Sequence, residues 1–285
     1  METLKRLVSK DGSVKYLFKL EDNHTVETLY MHDDGFKLTF NSTVCISSQV
    51  GCRVGCRFCA TGRQGFIRNL AADEIFQQVE ACSADCRQSG FRPLEAVVFA
   101  GMGEPMLNYE NVKQAIDKTY RDLGIKDFEI VTVGIVPQIR RLIEDFKNGE
   151  SHIRLNISLH ASNDATRKTL IPYTSIYNIS DIIEAAVEYS RAFNERVRMR
   201  YALFKGINDR DEDIDSLSRL LADKPVKLIL SQYNDNHIPG LQAVPEEHFM
   251  RFYHRLAKRI DCGRFFNFGS DIKGGCGQLS QVKAV

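Results

Sequence analysis
The hydrophobic pattern of the chain changes once, near residue 40. Ahead of that point apolar and polar positions alternate. VKYLFKL (14–20) and TVETLYM (25–31) have the period of two of half-buried strands, and the turn-forming EDNH between them predicts a β-hairpin. FKLTF (36–40) is read as a strand that extends it. Beyond residue 40 short apolar runs alternate with amphipathic segments. Strands are predicted at 43–47, 94–101, 128–133, 153–160, 196–204 and 226–233. Helices are predicted at 71–86, 109–123, 137–148, 178–193, 211–223 and 246–260. Six β–α units imply a parallel sheet with crossover helices, and six is too few to close an eight-fold barrel. The expected fold is therefore α/β: a partial (β/α)6 barrel over 41–285, preceded by a short β-hairpin extension over 1–40.

Composition narrows the class. The chain has 285 residues with 43% hydrophobic content, enough for a large core, and no apolar run long enough to span a bilayer. The opening METLKRLVSKDG is charged and has no signal-peptide pattern, so the protein is expected to be cytoplasmic. Eight cysteines in such a chain point to a reducing compartment, where thiols serve metals and catalysis. A net charge of +1 gives no support for strong nonspecific nucleic-acid binding and leaves room for a local basic rim.

Three of those cysteines carry the most specific signal. Cys52, Cys56 and Cys59 stand in GCRVGCRFCATG with the spacing C-x3-C-x2-C. Three thiolates can hold three corners of a 4Fe–4S cluster and leave the fourth iron free to chelate S-adenosylmethionine and cleave it by one-electron reduction. Two plainer readings stay beside this one: a three-cysteine zinc site, and three buried core thiols. The glycines and arginines around the motif describe a polar, mobile loop, which disfavours core thiols, and no histidine stands nearby at finger spacing.

In a partial barrel, chemistry collects where the strands end. The cysteine loop follows the first of the six strands, GMGEP (101–105) the second, SLH (158–160) the fourth and Asn234 the sixth. The glycines beside Glu104 are read as permitting close approach of backbone to a ligand, and the carboxylate as an acceptor for a ligand ammonium. Cys276 lies in GGCGQL, whose glycines suggest an exposed, flexible tail. Cys82 and Cys86, four apart on a predicted helix, and Cys262 are read as packing residues.

Taken together, VETLYM, TVCISSQVGCRVGCRFCATGRQGFIRNL, GMGEPMLNYENV, ISLHASND, GIND and DIKGGCGQL resemble the RlmN/Cfr family of radical SAM RNA adenine methyltransferases over nearly the whole chain. The resemblance implies that Cys52, Cys56 and Cys59 hold the 4Fe–4S cluster, and that Gly103, Glu104, Ser158, His160 and Asn234 bind S-adenosyl-L-methionine. It implies that Cys276 takes a methyl group, from which a radical adds to an adenine carbon. It further implies that Cys45 resolves the covalent adduct through a disulfide with Cys276, and that Glu27 in VETLYM accepts a proton. RNA is the implied partner, with a one-electron donor such as flavodoxin or ferredoxin.

The chain departs from the family pattern at several places. It begins almost at the hairpin, where the family carries a helical domain that helps hold RNA. The serine-rich loop after the third strand is reduced to VTVGIVP, the basic run before the tail is GRFFNFGSD, and NPFPG becomes NDNHIPG. Arg196, Arg198 and Arg200 alternate onto one face that is either ion-paired or available to phosphate, and Arg53, Arg57, Arg63 and Arg68 around the cysteine loop are open to the same two readings. The same chemistry on a nucleotide, peptide or other small molecule is the rival reading, and a non-catalytic iron–sulfur or zinc module a more distant one.

Overall fold
In the computed structural model, which describes residues 1–33, 40–173 and 177–280, ten strands form one sheet. Its first edge is antiparallel: β1 (Glu2–Val8), β2 (Val14–Lys19) and β3 (Thr25–His32) run as a meander, and β3 pairs antiparallel with β4 (Ser42–Ile46). The predicted hairpin is β2–β3; most of FKLTF falls outside the described residues. β1 was not foreseen. Almost every residue of it is exposed, so it has no buried face to impose a period.

From β4 onward the sheet is parallel. β7 (Ala96–Phe99), β8 (Asp127–Thr132), β9 (His152–Ser158), β10 (Val197–Leu203) and β11 (Val226–Gln232) follow in spatial order, matching the six predicted barrel strands. A seventh parallel strand, β12 (Cys262–Arg264), extends the open edge; its three residues are too few to carry a pattern. Between β4 and β7 the chain makes a small two-stranded ribbon of β5 (Gln49–Gly51) and β6 (Phe66–Asn69) around α1 (Ala60–Arg63), then α2 (Ala72–Ser89). The other crossovers carry α3 (Tyr109–Leu123), α4 (Val136–Phe146), α5 (Asp164–Leu170) with α6 (Ile179–Phe193), α7 (Asp211–Leu221) and α8 (Glu246–Ala257).

The two faces of the parallel sheet differ in chemistry. Toward the helices it presents Val97, Phe99, Phe128, Ile130, Ile157, Met199 and Leu228, all at most 2% exposed. The helices answer with matching stripes, as on α4, where Val136, Ile139, Leu142 and Phe146 are the buried positions. The opposite, concave face is mixed, with charged and amide groups standing among Val98, Val131 and Ala202. The strand register places Cys45, Val98, Glu129, Arg154, Asn156, Ser158, Arg198 and Arg200 on it, because cross-strand partners and residues two apart share a side. Arg198 pairs with Glu129 at 2.7 Å, Arg200 donates to Asn156 at 3.0 Å, and Arg154 pairs with Asp127 at 2.7 Å. Hydrocarbon therefore fills the space behind the sheet, and the barrel interior is left for ligands.

Candidate active site
The cysteine loop hangs from the β5–β6 ribbon and is fastened at both ends, in contrast to the mobile loop its composition suggests. Cys52 N–H donates to the Gly65 carbonyl at 2.8 Å, and Arg57 N–H to the Leu170 carbonyl at the end of α5 at 3.0 Å. Gly51, at φ +74°, has no room for a side chain: a Cβ would lie 2.0 Å from the Gly65 oxygen. Gly62 lets α1 pass directly over Cys56, whose carbonyl would be 2.8 Å from a Cβ there. Phe58 turns edge-on to His160, ring centroids 5.0 Å apart.

This loop forms one wall of a cavity at the strand ends that encloses about 1470 Å³, counting the solvent in its mouth. Cys52, Cys56 and Cys59 line it, and so do Gly103, Glu104, Ser158, His160 and Asn234. Cys45 and Cys276 complete the lining. Ten of the eleven site residues expected from sequence meet in this one space; Glu27 is not among its lining residues.

Each is held by identifiable contacts. The Glu104 carboxylate accepts from Met106 N–H at 3.0 Å and Val133 N–H at 2.9 Å, yet burial still pushes its pKa up to about 7. His160 sits at φ +55°, and its Nδ1 accepts from Ala202 N–H at 2.9 Å. Burial first, then the Arg167 and Arg200 cations, lower its pKa to about 3, so the ring is neutral with its proton on Nε2, a donor toward the cavity. Asn208, from GIND, donates 2.8 Å bonds to the carbonyls of His160 and Ala202 and fixes that turn.

Burial raises all the cavity thiols for which a shift is resolved. Cys45 and Cys52 are each pushed to about 12, and Cys56 also rises, with neighbouring thiols adding to the effect. Cys276 rises by burial too, but the Arg200 cation opposes it. Cys276 is crowded by the atoms around the cavity, yet it is the one cysteine among the eight whose residue surface is open to solvent, at the cavity mouth. Such a set of soft donors on one wall fits a cluster of iron and sulfide.

The glycine-rich tail is built for tight packing, in contrast to its flexible appearance in sequence. Gly274 and Gly275 are buried; a Cβ would come within 2.9 Å of Leu29 at the first and 2.7 Å of the Asn234 amide at the second. Ala60 N–H donates to the Gly277 carbonyl at 2.8 Å, and Thr61 Oγ1 to the Leu279 carbonyl at 2.5 Å. Asn236, in the divergent NDNHIPG, donates from one amide to both the Phe58 and Gly277 carbonyls at 2.9 Å, stapling the cysteine loop to the tail. Asn234 is likewise engaged: it exchanges hydrogen bonds with Asn267 and donates to the Cys276 carbonyl at 3.0 Å. Glu27 lies under the tail, ion-paired with Lys15 at 3.3 Å and accepting from Ser280 N–H at 2.9 Å; burial raises its pKa against the pull of Lys15.

Readings that the sequence left open are resolved here. The glycines of GMGEP line the cavity and also pack tightly at the β4 exit: a Cβ on Gly101 would meet the Ile46 carbonyl at 2.6 Å, and one on Gly103 the Gln49 side chain at 2.6 Å. Arg198 and Arg200 are ion-paired within the concave face, and Arg200 stacks over Phe265 at 4.7 Å. Arg68 is held by Asp22 and Glu74, whereas Arg53, Arg57 and Arg63 remain exposed around the loop. Cys82 and Cys86 are buried in the core as expected, and Cys262 packs against it half-buried.

Residues 46–217 match the radical SAM superfamily. The chain is 38% identical over 280 residues to a probable dual-specificity RNA methyltransferase RlmN of Pseudothermotoga lettingae, covering 96% of this chain and 78% of that one. The chain belongs to the RlmN family. A dual-specificity RNA methyltransferase RlmN 2 of Myxococcus xanthus is 37% identical, covering 96% of this chain and 72% of its own. A crystallised radical SAM methyltransferase from Sphaerobacter thermophilus superposes with a TM-score of 0.90 at 34% identity, covering 98% of this chain and 80% of that one. At 12% identity and a TM-score of 0.60, Streptococcus suis SuiB bound to S-adenosylmethionine shares the fold alone. The protein is thus a radical SAM methyltransferase, an enzyme that works with a 4Fe–4S cluster and S-adenosylmethionine.

Proposed function
We propose that the protein methylates an aromatic carbon of adenine in RNA, with Cys276 as methyl carrier and Cys45 as the thiol that releases the product. The observation that carries this reading is the placement of Cys45 and Cys276 in the same cavity as the three loop thiols. The names of its relatives, dual-specificity RNA methyltransferases, supply the substrate class. When bound, the cluster and S-adenosylmethionine supply one-electron cleavage and hydrogen abstraction, chemistry that no side chain of this chain can perform.

The residues do the rest. Cys52, Cys56 and Cys59 hold the cluster. Glu104 receives the ammonium of S-adenosylmethionine, neutral His160 donates from Nε2, and Gly103, Ser158 and Asn234 border the same cradle. Cys276 loses its thiol proton and accepts the methyl group, helped by Arg200, whose cation favours the thiolate. Once a carbon–carbon bond links that methyl to adenine, Cys45 attacks the Cys276 sulfur. The sulfur–carbon bond breaks with its electron pair going to the carbon, which takes up a proton to become the methyl group, and the two cysteines are left as a disulfide that an external dithiol reduces before the next turnover. Glu27 is the proposed acceptor of the proton lost from the adenine carbon; it lies beneath the tail and outside the cavity lining, so the proton must reach it through the tail segment. The exposed Arg53, Arg57 and Arg63 are placed to meet phosphate beside the cavity. A small one-electron donor protein, flavodoxin or ferredoxin in kind, supplies the electron.

The direct test is mass spectrometry of ribosomal and transfer RNA from cells with and without the gene, expected to show loss of a carbon-methylated adenosine. Unchanged RNA from cells lacking it, with active cluster in the purified protein, would move the reading to a small-molecule or peptide substrate. The Glu104 assignment has its own signature. Its folded pKa of about 7 means the carboxylate forms only as pH rises to that value. Affinity for S-adenosylmethionine should therefore rise between pH 5.5 and 7, by up to about tenfold per unit, and Glu104→Gln should flatten the profile. Calorimetric titration across that range checks it.

A further inference from the structure
Arg167 is the largest fully buried side chain among the described residues. It stands on α5 and its guanidinium gathers the carbonyls at the strand exits. Nε donates to Leu159 at 3.0 Å, and Nη2 to both Val133 at 2.6 Å and Ser158 at 2.9 Å. Those are the residues on which Glu104 and His160 depend: Val133 donates its own N–H to Glu104, and Leu159 precedes His160. Yet the donor set is incomplete. Nη1 is buried and has no hydrogen-bond partner, and the guanidinium is compensated by carbonyls, with no carboxylate ion-paired to it among the described residues.

A buried cation left unpaired costs several kcal/mol, so a charge of opposite sign is expected nearby. The geometry says where. Ile171 N–H donates to the Arg167 carbonyl at 2.8 Å, and one residue earlier the Leu170 carbonyl receives the Arg57 N–H of the cysteine loop. Arg57 also reaches the Thr169 carbonyl with its side chain. The loop at Cys56–Arg57 thus rests on the last turn of the helix that holds Arg167. A cubane core on three thiolates is anionic and gains a further negative charge on reduction.

We propose that Arg167 is the resident counter-charge of the iron–sulfur cluster, a positioning residue whose free Nη1 bonds to the sulfurs on the Cys56 side and eases reduction. The inference rests on Cys52, Cys56 and Cys59 carrying that cluster. Hydrogen bonds to sulfur and local charge set the potentials of such clusters, so loss of this donor makes the cluster harder to reduce.

Two measurements test it, each on protein reconstituted to four irons. In a redox titration followed by electron paramagnetic resonance, Arg167→Gln should hold at least tenfold less reduced relative to oxidised cluster at a fixed potential, equivalent to about 59 mV for one electron. Arg167→Lys, which keeps the charge, should recover part of it. The second measurement leaves Arg167 in place. Exposed Arg53, Arg57 and Arg63 and the cavity-lining Arg200 are replaced by lysine, arginine is labelled with ¹⁵N, and pulsed resonance of the reduced cluster should detect coupling to a guanidinium nitrogen. An unchanged potential in Arg167→Gln overturns the proposal, as does the absence of coupling, which decides the matter if Arg167→Gln does not fold. With four irons still bound, either result leaves the cluster assignment standing. Wild-type protein that binds no cluster removes both.

Discussion
Replacing Cys276 by alanine is expected to abolish methyl transfer, a loss on the order of 10⁴-fold or more, because the thiol forms bonds with both the methyl donor and the product. Reductive cleavage of S-adenosylmethionine should survive. The three cluster cysteines belong to a different loop, and the tail reaches that loop through backbone groups, Gly277 O to Ala60 N–H and Leu279 O to Thr61, which a Cys276 substitution leaves in place. Peptide mass spectrometry of wild-type protein expressed with an active cluster should find one added methyl on the Cys276 peptide. Labelled methyl appearing in product with Cys276→Ala would overturn the carrier role.

A different failure is expected of Cys45→Ala. The variant should accept the methyl group and form the carbon–carbon bond, then stop, with the nucleic acid linked to Cys276. Cys45 is on β4 and lines the same cavity wall as Cys276. Burial pushes the Cys45 thiol up to about 12, so little thiolate stands there in the resting protein. A gel shift that disappears on nuclease treatment, with turnover down by at least about 10²-fold, is the expected result. Product release at the normal rate would assign resolution to another group.

Six barrel strands and six helices could be read from sequence because each has a buried face wide enough to impose a period. What escaped detection lacks that property. β1 is exposed almost throughout, β12 has three residues and α5 has seven. The site followed the same division. Cysteine spacing, GMGEP and SLH carry their chemistry in residue type, so they were legible. Arg167, Asn208 and Asn236 act by donating to backbone carbonyls, whose partners leave no mark on the sequence. The tail glycines misled: absence of a side chain reads as freedom, whereas at 274 and 275 it marks contact. The arginine stripe of β10 could not be resolved from one strand, because its partner Glu129 stands on β8 with β9 between them.

That ladder of charge on the concave face bears on how the enzyme can change. An apolar floor would tolerate trimming or enlarging one side chain at a time. Here Glu129 is joined to both Arg198 and Arg200, and Asn156 bridges Glu129 to Arg200. Removing any one member strands an opposite charge or amide in a largely enclosed space, at a higher cost than replacing the group together. Remodelling of the cavity floor for a different acceptor should therefore proceed by concerted exchange, and drift at these positions should be correlated, with intermediates visited rarely.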